Sequence, residues 1–475
     1  MNTIISNMIR VEEPSTEVRE YAKTLRLPNP EYEKKQRMGF WTGRTPKEIR
    51  LYERDGNALV FPFGLLKDLW PMVRQCEWEL DFRQDETVDY GDKLNEPLLD
   101  YQEKAVEEML KAKYGILKSP AGSGKTVCGL EIIRRYGKKA LWLCHTADLL
   151  KQSMTRAKQF LPCDPELFGT VTEGVVNIGA GITFATVQTL CRCDLDRLRH
   201  EWAVIIVDEV HRCSTSAKSV TMYQRVLNNL AARYKIGVTA TPVRADGLIK
   251  ATFALVGPVQ YEVPDEAVQK RVMKVCIKQI QTDTEITDDC LNDDGTLQYT
   301  GLIEHLTTDA DRNKLIARTI MENKGHSCII LSSRIAHLEA IRNLLPYEMQ
   351  EQSAIITGKM TSKKTKTERE EILDKMRSGE LKYLGASYNL FKEGVDIPRL
   401  DRLFLATPEK FSSVIIQSVG RIARVFEGKT QPIVYDFVDT NIGYCNRAYK
   451  ERCRHYRKLD ATFLTAMDEL AAERR

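Results

Sequence analysis

The chain has 475 residues, 43% hydrophobic, 29% charged and 8% aromatic, a globular composition with room for about three domains that excludes collagen-like, coiled-coil and disordered chains. Its net charge of +4, from 70 basic and 66 acidic residues, permits nucleic-acid binding only through local patches. No run approaches the ~20 apolar residues of a membrane span and the opening MNTIISNMIR is no secretory leader, which excludes a membrane channel and points to the cytoplasm.

Residues 1–95 carry a net charge of −2 and read as a small α+β accessory domain. The segment IRLYERDGNALVFP predicts two short strands around an Asp55-Gly56-Asn57 turn. EYEKKQRMGFWTGRTPK mixes Lys34, Lys35, Arg37, Arg44 and Lys47 with Tyr32, Phe40 and Trp41. Cations interleaved with aromatics suit phosphate contacts and base stacking. A packed accessory domain with a solvated basic edge accounts for the same residues. The domain serves either DNA or a protein partner.

Residues 96–262 carry +5. Here short, nearly continuous apolar runs alternate with longer helical patterns. Gly115–Lys118, Ala140–Cys144, Ile182–Ala185, Val204–Val207 and Lys235–Thr239 are the predicted strands. Val127–Tyr136 and Leu149–Phe160 are two of the helices between them. Runs of this kind are buried on both faces of a parallel sheet.

SPAGSGKT, Ser119–Thr126, follows a strand and opens a helix, the context that makes a phosphate-binding loop of it. Backbone N–H groups along Ala121, Gly122, Ser123 and Gly124 close on phosphate oxygens. Lys125 reaches the β and γ phosphates, and the Thr126 hydroxyl is a Mg²⁺ ligand. VIIVDEVH, Val204–His211, then places Asp208 at the end of a buried strand. A carboxylate there holds the same Mg²⁺, and Glu209 beside it polarises the attacking water. The expected cofactors are therefore ATP and Mg²⁺.

Residues 263–440 return to −2 and to the same rhythm. Cys328–Leu331, Ala354–Ile356, Tyr383–Ala386, Arg402–Leu405 and Pro432–Phe437 are predicted strands. Thr367-x-x-Glu370 reads as a capping box opening a helix over Glu368–Met376. The acidic, turn-rich stretch 282–300 reads as a surface excursion. In QSVGRIAR, Gln417–Arg424, the i, i+3 spacing predicts Arg421 and Arg424 on one helix face, reaching for the γ-phosphate. In TGKMTSKKTK, Thr357–Lys366, the lysines either extend a nucleic-acid contact or form a solvated loop. Residues 441–475, net +3, read as a basic helical tail. The twelve cysteines include one close pair, Cys191 and Cys193. A C-x-C without a second pair is a weak zinc signal, and reduced, mostly buried thiols are the better reading.

In their order these motifs resemble the superfamily 2 helicases over about Leu98–Phe437. The resemblance implies an α/β fold of two tandem RecA-like doubly wound parallel-sheet lobes. It implies that Gln102, in LLDYQ, reads adenine. LCHTADLLKQ and TFATVQTL imply nucleic-acid backbone contacts through Thr146, Thr186 and Gln188. TATP, Thr239–Pro242, implies that Thr239 and Thr241, with His211 and Gln417, couple hydrolysis to nucleic-acid grip. LSSR, TG and SYNLFKEGVDIP imply further contacts through Ser333, Arg334, Thr357, Gly358 and Ser387, and place Gly394 and Asp396 near the nucleotide. TATPVRADG and VYDFVDT are similar to UvsW- and XPB-like DNA helicases, although Ala245 replaces the glutamate of the R-E-D sequence, against an XPB-style unwinding role for that element. The resemblance favours DNA over RNA and forked or branched DNA as substrate. It also suggests 3′-to-5′ movement and a role in repair or recombination. The start of the chain is similar to some phage-borne and mobile-element helicases. The alternatives are a nucleotide-gated binding module, the motor subunit of a restriction or defence complex, and an RNA helicase.

Overall fold

In the computed structural model the described residues are 1–82, 86–120, 122–213, 221–240, 248–269, 273–292, 294–358, 360, 363–388, 390–391, 395, 397–409 and 412–464. They form two compact units, Met1–Pro264 and Asp265–Arg475.

The first unit is built on an eight-stranded sheet. Its order is Val175–Asn177, Phe168–Thr172, Ile182–Thr186, Ala140–Cys144, Val204–Asp208, Tyr234–Thr239, Tyr114–Lys118 and Val259–Glu262. All neighbours are parallel except the first pair, a hairpin. The five predicted strands are present, each within a residue of its expected bounds. Ala140–Cys144, Ile182–Thr186 and Val204–Asp208 are buried along their whole length, which is why their apolar runs show no alternation. The edge strands are the ones the pattern does not reveal.

A second, five-stranded sheet lies in the N-terminal part of this unit, in the order Glu53–Asp55, Ala58–Pro62, Met8–Val11, Asn2–Ile5 and Glu77–Leu80. The Gly56-Asn57 turn closes its hairpin, with Asp55 opposite Ala58. The strand Glu48–Arg50 belongs instead to a two-stranded ribbon with Arg26–Pro28. The sequence changes character near residue 95, but the packing does not divide there. Ile5, Ile9, Phe61, Phe63 and Leu69 share one core with Leu248, Ala251 and Ala254 of the parallel-sheet region. Gly64 makes the closest approach: a Cβ there would strike the backbone of Phe253, Ala254 and Gly257.

The second unit holds a seven-stranded, all-parallel sheet. Its order is Ser353–Ile356, Tyr383–Ala386, Cys328–Leu331, Arg402–Leu405, Ile433–Asp439, Cys276–Thr282 and Thr462–Phe463. Two expectations change. The helix read as starting at Glu368 runs Lys363–Ser378. Thr367 therefore lies inside it and not at its start, because the lysine-rich sequence before it is itself helix-forming. The acidic stretch is pinned to this unit. Thr282 ends a strand and bonds Asp439, Thr284 bonds Asp309, and Cys290 packs beside Leu302, Leu306 and Cys445. The basic helix, Gly443–Lys458, buries Cys445, Ala448, Arg452, Cys453 and Tyr456, so it belongs to the core. The chain then adds the last strand of the sheet.

All twelve cysteines are free thiols, eight of them buried, and Cys191 and Cys193 bond backbone carbonyls. Among the described residues no helix is long and apolar enough to cross a membrane.

Candidate nucleotide and nucleic-acid sites

The strand Tyr114–Lys118 ends at a loop that turns directly into the helix Lys125–Tyr136. Gly122 and Gly124 both have φ of 81°, a left-handed backbone that costs other residues a Cβ clash. Gly124 sits so close to Gln102 that a Cβ would also strike its amide. As the residue before the helix it leaves the free N–H groups of the first turn open to an anion. Several groups hold the loop in this shape. Gln102 Nε2 donates to Ser123 O at 2.9 Å while its Oε1 accepts from Leu99 N–H at 3.0 Å. Tyr101 donates to the same Ser123 carbonyl at 3.1 Å. Ser119 and Ser123 are buried with their hydroxyls 2.5 Å apart. The Ser123 side chain thus scaffolds the loop. Gln102 buttresses it with one amide hydrogen and retains the other. Lys125 Nζ lies over the loop, donating to Pro120 O at 3.4 Å. Ala121 is outside the described residues.

Two strands away across the sheet, Asp208 ends Val204–Asp208 and is 7% exposed. Burial pushes its carboxyl up to about 7, the Glu209 charge adds to this, and the Lys125 ammonium opposes it. A cation at this position favours the ionised form. The donors present are hard oxygens, the Asp208 carboxylate and the Thr126 hydroxyl. Among the described residues no group of three or more His, Cys, Asp or Glu is placed to hold a metal ion. That set fits Mg²⁺, which binds through one or two protein oxygens and fills its shell with phosphate and water.

Glu209 has φ of 47°, a strained backbone for a residue with a side chain. The turn carries Glu209 Oε2 to within 3.2 Å of His211 Nδ1, and the same nitrogen lies 2.9 Å from Thr239 Oγ1. The Thr239 hydroxyl is the hydrogen-bond partner of that nitrogen. Thr239 is fully buried, and its carbonyl accepts the Ser119 N–H at 2.9 Å. One threonine therefore ties the phosphate loop to the Asp-Glu-x-His turn. Gly237 makes room for that turn, since a Cβ would come 2.6 Å from Val210. Thr241, Arg244, Ala245 and Asp246 are outside the described residues.

The residues expected at the nucleic acid follow the next two strands of the sheet. Thr146 caps the helix Ala147–Phe160, its hydroxyl accepting from Leu149 N–H at 3.3 Å. Gln188 reaches across to donate to His145 O at 2.7 Å. The structure thus brings Thr146 and Gln188 together. Thr186 lies deeper than these two. It is buried, and its hydroxyl lies 3.1 Å from that of Thr189 and 3.4 Å from that of Thr172. It shapes the turn on which Gln188 sits.

In the second unit the remaining candidates follow three neighbouring strands at their carboxyl ends. Ser333 and Arg334 follow Cys328–Leu331, Thr357 and Gly358 follow Ser353–Ile356, and Ser387 follows Tyr383–Ala386. Ser333, Arg334 and Gly358 are exposed. The Ser333 N–H donates to Thr407 Oγ1 at 3.1 Å, and Ser387 Oγ accepts from Leu390 N–H at 3.4 Å. Gly394 and Asp396 are outside the described residues.

The two arginines do not share a helix face. The helix runs Ser412–Ile422, so Arg421 is its penultimate residue and Arg424 lies beyond its end. The Ala423 carbonyl instead accepts from Met273 N–H at 2.7 Å. Arg421 donates to Val395 O and lies 5.8 Å over the Phe391 ring. Gln417 is buried, and its amide nitrogen has no hydrogen-bond partner among the described residues.

Comparison with known proteins decides the family. The model of the type III restriction enzyme res subunit matches residues 95–244, and that of the helicase conserved C-terminal domain matches residues 311–426. Together they span more than half of the chain and hold both sets of motifs. The chain belongs to the superfamily 2 helicases. As a member of this family it is an ATP-hydrolysing enzyme that acts on nucleic acid.

Among this helicase's relatives is DNA 3'-5' translocase XPB2 of Sulfurisphaera tokodaii, 28% identical in an alignment that covers 69% of this chain and 78% of the relative. The putative ATP-dependent RNA helicase L396 of Acanthamoeba polyphaga mimivirus is 26% identical, over 75% of this chain and 66% of the relative. Of solved structures, Saccharomyces cerevisiae Dbp5 bound to RNA and ADP BeF3 aligns with a TM-score of 0.56 at 15% identity. The alignment covers 80% of this chain and 93% of that one, a likeness of fold.

Sequence reading missed two arginines that hold the helicase's second unit together. VYDFVDT supplies two buried carboxylates, each grasped in a forked pair. Asp436 holds Arg452 at 2.8 and 2.9 Å and accepts from Tyr456 at 2.7 Å. Asp439 holds Arg312 at 2.7 and 3.3 Å and accepts from Thr282 at 2.6 Å. The signal was a pair of aspartates inside an otherwise apolar strand, which must find cations.

Proposed function

We propose that this helicase is a DNA motor that moves along or separates strands of forked, branched or duplex DNA. The observation that carries the reading is the order of motifs along the carboxyl ends of one sheet. Thr186, Thr146, Asp208, Thr239 and the phosphate loop end five successive strands. Nucleotide groups and nucleic-acid groups therefore share one rigid edge, the edge at which open α/β sheets take ligands. The preference for DNA rests on similarity to the XPB2 translocase.

In this reading Lys125 and the N–H groups opening its helix bind the phosphates. Asp208 and Thr126 hold Mg²⁺, which when bound neutralises charge on the phosphate oxygens. Gln102 uses its remaining amide hydrogen on the base. Glu209 orients and deprotonates the water, held by His211. A change at the γ-phosphate that moves Glu209 is felt at His211 and then at Thr239. Arg421 and Arg424 supply positive charge to the transferred phosphoryl group. Thr146, Gln188, Ser333, Arg334, Thr357, Gly358 and Ser387 grip the backbone.

The test is displacement of a labelled strand from forked DNA, with ATP and with a non-hydrolysable analogue. Displacement that needs hydrolysis is the expected result. ATP-dependent binding without displacement would make the chain a gated clamp. A second reading follows from the res-subunit match: the motor of a restriction or defence complex, in which displacement appears only with a partner protein.

A further inference from the structure

The helix Pro30–Arg37 buries none of its residues. It leaves the ribbon at Pro28, and the chain returns at Glu48, the residue opposite Pro28 in the ribbon register. Residues 29–47 thus form an arm that adds almost nothing to the apolar core.

The arm is nonetheless held in one shape. At its base Asn29 donates through its backbone to Lys47 O at 3.0 Å and through its side chain to Pro46 O at 2.7 Å. Across its middle Lys35 Nζ donates to Thr45 Oγ1 at 2.9 Å. Near its tip Phe40 N–H donates to Lys35 O and Thr45 N–H to Thr42 O, both at 2.9 Å. The Trp41 ring lies against Gly43, where a Cβ would come 2.5 Å from it.

This ordered arm presents apolar rings to water. Met38 is 55% exposed, Phe40 61% and Trp41 86%. Consecutive exposed aromatics do nothing for the fold and mark a contact surface. Their surroundings say what they contact. Lys34, Arg37, Arg44 and Lys47 are exposed around them. Among the described residues Lys34, Arg44 and Lys47 make no ion pair, whereas Glu31 is engaged by Lys35 at 3.5 Å. Residues 29–47 carry +3, although residues 1–95 carry −2. A polyanion whose units also bear flat π-faces matches this surface.

We propose that the arm is a stacking platform for single-stranded nucleic acid. Phe40 and Trp41 stack on unpaired bases, and Lys34, Arg37, Arg44 and Lys47 hold the neighbouring phosphates. The proposal rests on the reading of the chain as a nucleic-acid motor and gives it a second grip, far along the sequence from the helicase motifs.

The test uses the full chain and titrates a labelled oligothymidylate, its RNA counterpart and a blunt duplex by fluorescence anisotropy at several salt concentrations. Trp41→Ala should weaken single-strand binding about 10- to 100-fold, with Trp41→Phe restoring much of it. Duplex binding should change far less, because paired bases are not free to stack. Lys34→Ala/Arg44→Ala/Lys47→Ala should lower the salt slope by about 2. Loss on one polymer alone supports the platform and names that polymer. Equal loss on duplex and single strands overturns stacking. Binding within twofold of wild type in a Trp41→Ala protein with unchanged thermal unfolding overturns the arm alone. A wild-type protein that binds no nucleic acid overturns both the arm and the motor.

Discussion

Thr239 touches no expected substrate, yet it carries two of the bonds on which the nucleotide site depends. Its carbonyl positions the start of the phosphate loop and its hydroxyl meets His211. Thr239→Val keeps the first bond and removes the second. It should cut nucleic-acid stimulation of ATP hydrolysis more deeply than turnover without nucleic acid, as steady-state kinetics on the two would show; an equal fall in both would deny the relay. Glu209→Gln should lower kcat ~10²–10⁴-fold with nucleotide still bound, read by a fluorescent ATP analogue. Wild-type turnover in that variant would remove Glu209 as the base. Lys125, Asp208 and Glu209 were legible because strand-loop-helix context fixes where such residues stand. The buried hydroxyls of Ser123 and Thr186 also brace their loops, a role the motifs did not announce. Hydroxyl direction is set by neighbours such as Ser119 and Thr189, which no motif encodes.

At the scale of elements, the strand Ile433–Asp439 organises the second unit. Its two carboxylates are buried beside Arg312 and Arg452, and a lone charge left there is costly. Asp439→Asn should cost about 3–5 kcal/mol and lower the unfolding midpoint by about 6–20 °C, measured by differential scanning calorimetry. Replacing both partners, with Arg312→Met and Asp439→Leu, should recover much of that loss. A midpoint within 2 °C of wild type for Asp439→Asn, roughly the effect of under 1 kcal/mol, would mean that the pair does not anchor the sheet. Central strands were legible because double-sided burial leaves continuous apolar runs. Edge elements were not. The hairpin Phe168–Thr172 and Val175–Asn177 turns on Glu173-Gly174, with φ of 51° and 84°, a two-residue turn without the usual Asn-Gly or Asp-Gly signal. The helix ending at Ile422 was also hidden. The Ala423 carbonyl is taken by Met273, a contact 150 residues away in sequence.

At the scale of the molecule, the N-terminal sheet and the first parallel sheet share more than a core. Lys235, fully buried in the central strand Tyr234–Thr239, donates to Leu227 O at 2.9 Å and to Asn7 O at 3.2 Å, and lies 5.0 Å over the Phe63 ring. Burial among carbonyls pushes it down to about 7, against ~10.4 in an unfolded chain. Below pH 7 it is protonated in both states, and the folded state bears the whole cost of the charge. Between 7 and ~10.4 the unfolded chain holds the extra proton, so stability rises with pH, by about 1.4 kcal/mol per unit inside that window. Urea unfolding at pH 7 and 9 should show this rise in wild type, and Lys235→Met should remove it; equal slopes would place the titration elsewhere. The sequence showed a change of composition near residue 95, but only the packing shows that the first unit runs from Met1 to Pro264. In the whole molecule ATP hydrolysis is proposed to serve movement on DNA. Its most direct test is steady-state ATP hydrolysis by the full chain at fixed moderate salt, with no nucleic acid, single-stranded DNA, duplex DNA, forked DNA and RNA in turn. DNA should stimulate hydrolysis strongly, most of all in forked or duplex form, and Lys125→Ala should abolish it. Stimulation by RNA alone, or by none of them, would contradict the proposal.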